Sequence, residues 1–221
     1  MVQQHCSQPV TLYEQTRFHN RILTLVEYYR TKRGTGASNG LEAGAFVKTD
    51  PALAVPDVQM HFIPAFMLDH ARETGPGHGY MLHACQLRPH SKGFIGLASA
   101  DPLAAPLIQP NYLSDSHDLA VLIKAVKMAR KIFAQAAFDS YRGKEEVPGD
   151  ALQTDDQLAQ SIRQNAETIY HPVGTCRMGV DADAVVDGEC RVKGMAGLRV
   201  IDASVMPTLI GGNTNAPTIM I

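Results

Sequence analysis

Two polar clusters near the C-terminal end carry residue types suited to moving or holding a proton. They are His171-Pro172-Val173-Gly174-Thr175-Cys176-Arg177-Met178-Gly179 and Gly211-Gly212-Asn213-Thr214-Asn215-Ala216-Pro217-Thr218. Between them Val200-Ile201-Asp202-Ala203-Ser204-Val205-Met206-Pro207 reads as an apolar strand ending in a carboxylate. Histidine is the side chain best matched to proton exchange near neutral pH. His171 follows the β-rich triplet Thr168-Ile169-Tyr170 and precedes a proline, which pushes it toward extended geometry. The expectation is a histidine at a strand end, pointing in one fixed direction; the plain alternative is a core histidine satisfied by one carbonyl. The Gly-Gly-Asn-Thr-Asn loop can turn sharply and aim amides inward, although Asn213 fits an ordinary Asx turn equally well. Ala216 onward reads as a helix start with Pro217 in its first turn, where free N–H groups suit an anion or an electron-rich ring. Asp202 is either a simple cap or a partner for a sugar or ribityl hydroxyl. Together these segments read as the floor of a redox site, and no phosphate-binding loop in the chain completes it.

The elements that must position these residues follow from periodicity. Phe18, Ile22, Leu25 and Tyr29 share one helical face, closed by Lys32, Arg33 and Gly34. Gly34-x-Gly36 follows a helix, the wrong context for a dinucleotide fingerprint. Ala45–Val47 and Val58–Phe62 read as strands, and Met81–Leu87 with Phe94–Leu97 as a strand pair joined by a hairpin-like Arg88–Gly93. Proline-rich Asp101–Tyr112 reads as irregular. Asp115 or Ser116 can cap a helix with Leu119, Leu122, Val126 and Ala129 on its apolar face. Thr154-Asp155-Asp156-Gln157 is a capping box followed by Leu158 and Ile162. Helix, strands, helices and strand in that order predict an α+β fold, mainly an antiparallel β-sheet flanked by helices.

Composition narrows the function. The 221 residues are 45% hydrophobic, which favours a packed globule, and the formal net charge is -2. Lys and Arg are scattered, which argues against a nucleic-acid partner. The apolar stretch Phe62–Leu68 is interrupted by Pro64 and too short to span a bilayer, and the first residues lack the pattern of a signal peptide. The four cysteines, Cys6, Cys85, Cys176 and Cys190, form no C-x-x-C pair, so reduced thiols in a cytoplasmic protein are expected. Peripheral attachment at the inner membrane is compatible with that reading. No metal site is expected: His61, His70, His78, His83 and His90 show no ligand spacing with helical carboxylate support. A serine hydrolase built on His171 lacks the G-x-S-x-G elbow.

Ile169 to Gly179, Leu198 to Pro207 and Asn213 to Thr218 strongly resemble the C-terminal region of the glucose-methanol-choline (GMC) flavin oxidoreductases. Leu87–Gly93, Ala100–Pro102, Ile108–Leu113, Glu42–Phe46 and Pro56–Phe62 resemble that family's substrate domain. Within the family the likeness is greatest to the bacterial choline and primary-alcohol dehydrogenases. The resemblance implies a substrate-binding domain over 1–165 and, over 166–221, the catalytic motifs with the segment that completes the FAD site. It implies that His171 lies beside the flavin N5 as base or hydrogen-bond partner of the substrate hydroxyl, with Asn215 holding the alkoxide oxygen. It implies cofactor contacts from Asp202, Ala203, Asn215, Pro217 and Thr218, and a substrate-cavity role for His61, for which an outward-facing strand position is the plain alternative.

The implied activity is oxidation of a primary alcohol, choline or aliphatic, to the aldehyde: a proton leaves the hydroxyl and a hydride passes to flavin N5. The implied partners are that small alcohol and the missing N-terminal FAD-binding half. The family's Rossmann strand–G-x-G-x-x-G–helix is absent here, so the expectation for this chain alone is an inactive, flavin-free portion. The identity of the alcohol and of the electron acceptor, oxygen or a quinone-linked carrier, stays open, and so does assembly into a homo-oligomer. The competing reading is a non-catalytic substrate-binding or lid module.

Overall fold

The computed structural model describes residues 1–68 and 73–221 and divides the chain into two compact units. One comprises Met1–Gln86 and Leu119–Asn165, the other Leu87–Asp118 and Ala166–Ile221. His70 lies outside the described residues.

The strands of the first unit are β1 (Val2–Cys6), β2 (Ala43–Val47), β3 (Val58–Ile63), β4 (Met67–Leu68), β5 (Glu73–Thr74) and β6 (Gly79–Gln86), followed, after β7 (Phe94–Gly96) and β8 (Leu107–Gln109) of the second unit, by β9 (Arg142–Val147). Five of them form one sheet in the order β2-β3-β6-β1-β9, with every pairing antiparallel. The helices are α1 (Tyr13–Thr16), α2 (Phe18–Thr31), α3 (Ser116–Phe133), α4 (Asp155–Asn165) and α5 (Asn215–Met220). The α+β expectation with a mainly antiparallel sheet therefore holds.

Alternation along the strands sends Val2, Val58, Met60, Tyr80 and Leu82 to one face of the sheet. There they pack on the stripe Val121, Ala125, Val126, Ala129 and Phe133 of α3 and on Leu158 of α4. Phe133 is fully buried and meets the Tyr80 ring edge-on at 4.9 Å between centroids. Burial of each such large side chain stabilises by about 1.5–3 kcal/mol. The C-terminal turn of α3 is tied to β9 by Arg130. Its guanidinium reaches Glu145 at 2.6 and 3.0 Å and donates to the Leu152 and Gly149 carbonyls at 2.8 and 3.2 Å.

The capping box forms as expected: Gln157 N–H donates to Thr154 Oγ1 at 3.3 Å, and Thr154 N–H donates to Gln157 Oε1 at 3.0 Å. Helix α2 ends where expected, with Lys32, the first of the three residues read as its stop, in the left-handed region at φ 57. Its apolar face exists as spaced, yet Phe18 and Tyr29 are 79% and 71% exposed.

The second unit departs from the expected strand pair. β6 pairs with β1 and β3, whereas β7 pairs with β8, which lies inside the stretch expected to be irregular. The carboxylate of Asp118 takes the His90 and Ser91 N–H groups at 2.8 and 2.9 Å, which fastens the expected connection to the start of α3 instead of leaving it to close a tight turn.

Candidate functional site

His171 is not at a strand end. Residues 166–174 form no strand, and Tyr170 occupies the left-handed region at φ 63. The Thr168 hydroxyl explains this, because it accepts the Tyr170 N–H at 2.9 Å and so competes with any sheet partner. The His171 ring is half-buried and held at both nitrogens. Thr214 Oγ1 lies 2.9 Å from Nδ1, and Thr214 N–H points at the same nitrogen from 3.4 Å. Asn213 Nδ2 lies 2.8 Å from Nε2. The plain alternative, a histidine satisfied by one carbonyl, does not describe this geometry.

The loop that presents Asn213 and Thr214 depends on Gly211. Its φ is +76, and an added Cβ would meet Arg88 Nη2 at 2.4 Å. Arg88 itself donates to the Leu209 carbonyl at 3.2 Å, so the guanidinium and the loop occupy each other's space. Thr214 is buried between two exposed asparagines. Its carbonyl accepts Thr218 N–H at 3.0 Å and Thr218 Oγ1–H at 2.7 Å, which fastens the loop to the first turn of α5.

Asn215 opens α5 and is exposed; among the described residues its amide has no hydrogen-bond partner. Pro217 sits in that first turn, where a missing N–H costs no bond. Asp202 does not end a strand. Residue 201 is unpaired coil, and Asp202 caps a short 3₁₀ turn (Ala203–Val205), accepting Ser204 N–H at 2.7 Å. The Ser204 contacts hold its carboxyl below the usual range. The turn is anchored from the first cluster: Cys176 N–H donates to the Ser204 carbonyl at 3.0 Å, and Met178 N–H to the Val205 carbonyl at 2.8 Å. The two clusters and the segment between them are thus brought together within one unit.

His61 lies in the other unit, on the sheet face opposite the α3 side. It stands directly across from His83, next to the pair Gln59 and Cys85. Burial pushes the Cys85 thiol up. The sequence does not single out Thr214 and leaves Asn213 between an inward-aimed amide and an ordinary Asx turn; the structure gives the inward-aimed amide. The available signal was a β-branched hydroxyl residue flanked by two amides in a glycine loop. His83, named in the sequence only within the rejected metal set, comes opposite His61 through the antiparallel register. Among the described residues no group of three His, Cys, Asp or Glu side chains could hold a metal ion, and no helix is long and apolar enough to cross a membrane.

The sequence pattern of the GMC oxidoreductase family matches residues 89–221. The chain belongs to the GMC oxidoreductases. It is 48% identical over 200 residues to the alcohol dehydrogenase [acceptor] of Pseudomonas putida, covering 90% of this chain and 36% of that one. It is 42% identical over 222 residues to the oxygen-dependent choline dehydrogenase of Brucella canis, covering 100% of this chain and 40% of that one. This GMC chain therefore spans well under half the length of these relatives. The formate oxidase of Aspergillus oryzae shares the fold, with a TM-score of 0.87 at 22% identity over 98% of this chain and 43% of that one.

Whether the residues present fit FAD can be judged from their donors. The unpaired Asn215 amide, the first-turn N–H groups of α5 and the exposed Asp202 carboxylate suit the ring edge and hydroxyl-bearing chain of a flavin. Among the described residues no strand–glycine turn–helix is present to take its pyrophosphate. The set fits part of the cofactor.

Proposed function

We propose that this chain is the substrate-binding and catalytic C-terminal portion of an FAD-dependent enzyme that oxidises a primary alcohol, choline or aliphatic, to the aldehyde. The observation that carries the reading is the His171 ring, fixed at both nitrogens beside the start of α5. The flavin, when bound, supplies the acceptor for the hydride. The chain's own residues do the rest. His171 serves the substrate hydroxyl as base or hydrogen-bond partner, and the Asn215 amide holds the developing alkoxide oxygen. Asp202, Ala203, Asn215, Pro217 and Thr218 would hold the cofactor. His61 lines the substrate cavity.

The substrate class follows from chemistry rather than from any single contact. A trimethylammonium group needs an aromatic or anionic wall, which Tyr and Phe side chains or Glu42 can supply in a chain with no Trp. An aliphatic alcohol needs only an apolar one.

The test joins the chain to its FAD-binding half and follows dye reduction with choline and with medium-chain alcohols. Alcohol-dependent reduction is expected, and His171→Ala is expected to lower kcat by about a hundredfold or more. A near wild-type rate in that variant would remove His171 from the reaction; no reduction with any alcohol would leave only a binding module.

A further inference from the structure

Three groups surround the His171 nitrogens, and two of them can reverse their polarity. The Asn213 amide can present its oxygen or its NH₂ to Nε2, the Thr214 hydroxyl can donate or accept, and the neutral imidazole itself can carry its proton on either nitrogen. The third group cannot reverse. Thr214 N–H is a donor only, and it points at Nδ1 from 3.4 Å, on the same nitrogen that Thr214 Oγ1 approaches to 2.9 Å. A proton on Nδ1 would face that fixed N–H. A lone pair on Nδ1 accepts it, together with the hydroxyl proton.

We infer that Thr214 is a positioning residue that selects the neutral tautomer of His171 with the lone pair on Nδ1 and the proton on Nε2. The ring then requires the amide oxygen of Asn213, not its nitrogen, to face Nε2. Burial supports the assignment, since Thr214 is 7% exposed and water has little access to compete for its hydroxyl. The link between the Thr214 carbonyl and Thr218 fixes the peptide that carries the N–H, so the selecting donor does not rotate away. Resting on the proposed alcohol oxidation, the inference deepens it. Nε2–H is then a hydrogen-bond donor that rests on the Asn213 amide oxygen and that a substrate oxygen takes over from it as negative charge develops there, while the Nδ1 lone pair stays committed to Thr214; this favours the hydrogen-bond role of His171 over that of the base.

The tautomer is read directly by long-range ¹H–¹⁵N NMR on the 221-residue chain with labelled histidine, at a pH where imidazoles are neutral; His171→Gln identifies the His171 signals by their loss. The expected pattern is a pyridine-like Nδ1 and a pyrrole-like Nε2. The reverse pattern in the wild type overturns the inference. Thr214→Val keeps the shape and the backbone N–H but removes the hydroxyl donor. It is expected to shift the tautomer ratio toward Nδ1–H by about tenfold, the equivalent of one hydrogen bond, with Thr214→Ser restoring it. An unchanged ratio in Thr214→Val, with the other histidine signals undisturbed, removes the hydroxyl from the role. The measurement needs neither flavin nor alcohol. A correct tautomer with no alcohol oxidation therefore sinks the proposed function alone, and the reverse outcome sinks this inference alone.

Discussion

Arg130 and Glu145 offer a sharp energetic test of the first unit. Their side chains are 18% and 5% exposed, and the guanidinium engages the carboxylate through two nitrogens. Replacing Arg130 by Met strands a buried carboxylate whose remaining partner is the Gly149 N–H at 3.2 Å. The expected cost is about 3–5 kcal/mol, a large share of the 5–15 kcal/mol that holds a typical domain together. Glu145→Gln is the milder change. Arg130 keeps the Leu152 and Gly149 carbonyls and some contact with water, so the expected loss is about 1.5–3 kcal/mol, that of hydrogen bonds to a charged group. The double replacement Arg130→Met with Glu145→Gln removes both charges at once, and its cost should fall below the sum of the singles by about 1.5 kcal/mol or more. Urea unfolding followed by far-ultraviolet circular dichroism gives each value, provided the slope with denaturant stays constant. A loss below about 1 kcal/mol for Arg130→Met would refute the reasoning. So would singles that add to the double within about 0.5 kcal/mol.

Two further outcomes follow from single residues. Gly211→Ala combines a left-handed φ of +76 with a methyl against the Arg88 guanidinium, whose flexible end can yield; a loss of about 1–2 kcal/mol in thermal or urea unfolding is expected, and an unchanged stability would contradict the loop geometry. Tyr80 carries a hydroxyl pushed from 10.0 to about 12, first by burial and then by Cys6. The folded state holds that proton more tightly than the unfolded chain, so its stabilisation is complete below 10.0 and is lost as pH rises toward about 12. Tyr80→Phe should flatten this alkaline loss in thermal melts. At neutral pH it should cost about 1 kcal/mol, because Gln4 Oε1 loses its 2.9 Å donor.

Where a feature depends on its own few residues, the sequence already displays it. The Thr154 box needs only spacing and side-chain type, and it formed; α3 formed too, but of its expected apolar face only Val126 and Ala129 reach the core, which takes Val121, Ala125 and Phe133 in place of Leu119 and Leu122. The two polar clusters were visible for the same reason, as unusual combinations of residues. What stayed hidden depends on distant partners. Nothing near Arg88–Gly93 announces that Asp118 will take two of its backbone donors, so the hairpin reading failed. Leu107–Gln109 became a strand only because Phe94–Gly96 lay beside it. Tyr170 was read as extended from its β-rich neighbours, yet one threonine hydroxyl two residues away set its conformation. Periodicity along α2 defined an apolar face but carried no information on what covers it. The role of Thr214 depends on the His171 ring, 43 positions away, and its own neighbours offer only the hint of a hydroxyl between two amides.

Asn213, Thr214 and Asn215 are consecutive, and the first two grip the imidazole by opposite nitrogens. The ring and the next amide along the chain therefore share one mount. A displacement of that peptide carries the ring's supports and Asn215 in the same direction, so their spacing survives motions that would misalign groups borne on separate elements. Insertion or deletion of a residue within the mount would disturb both at once. Tolerance to shaking and intolerance to changes of length are, in this loop, the same mechanical property.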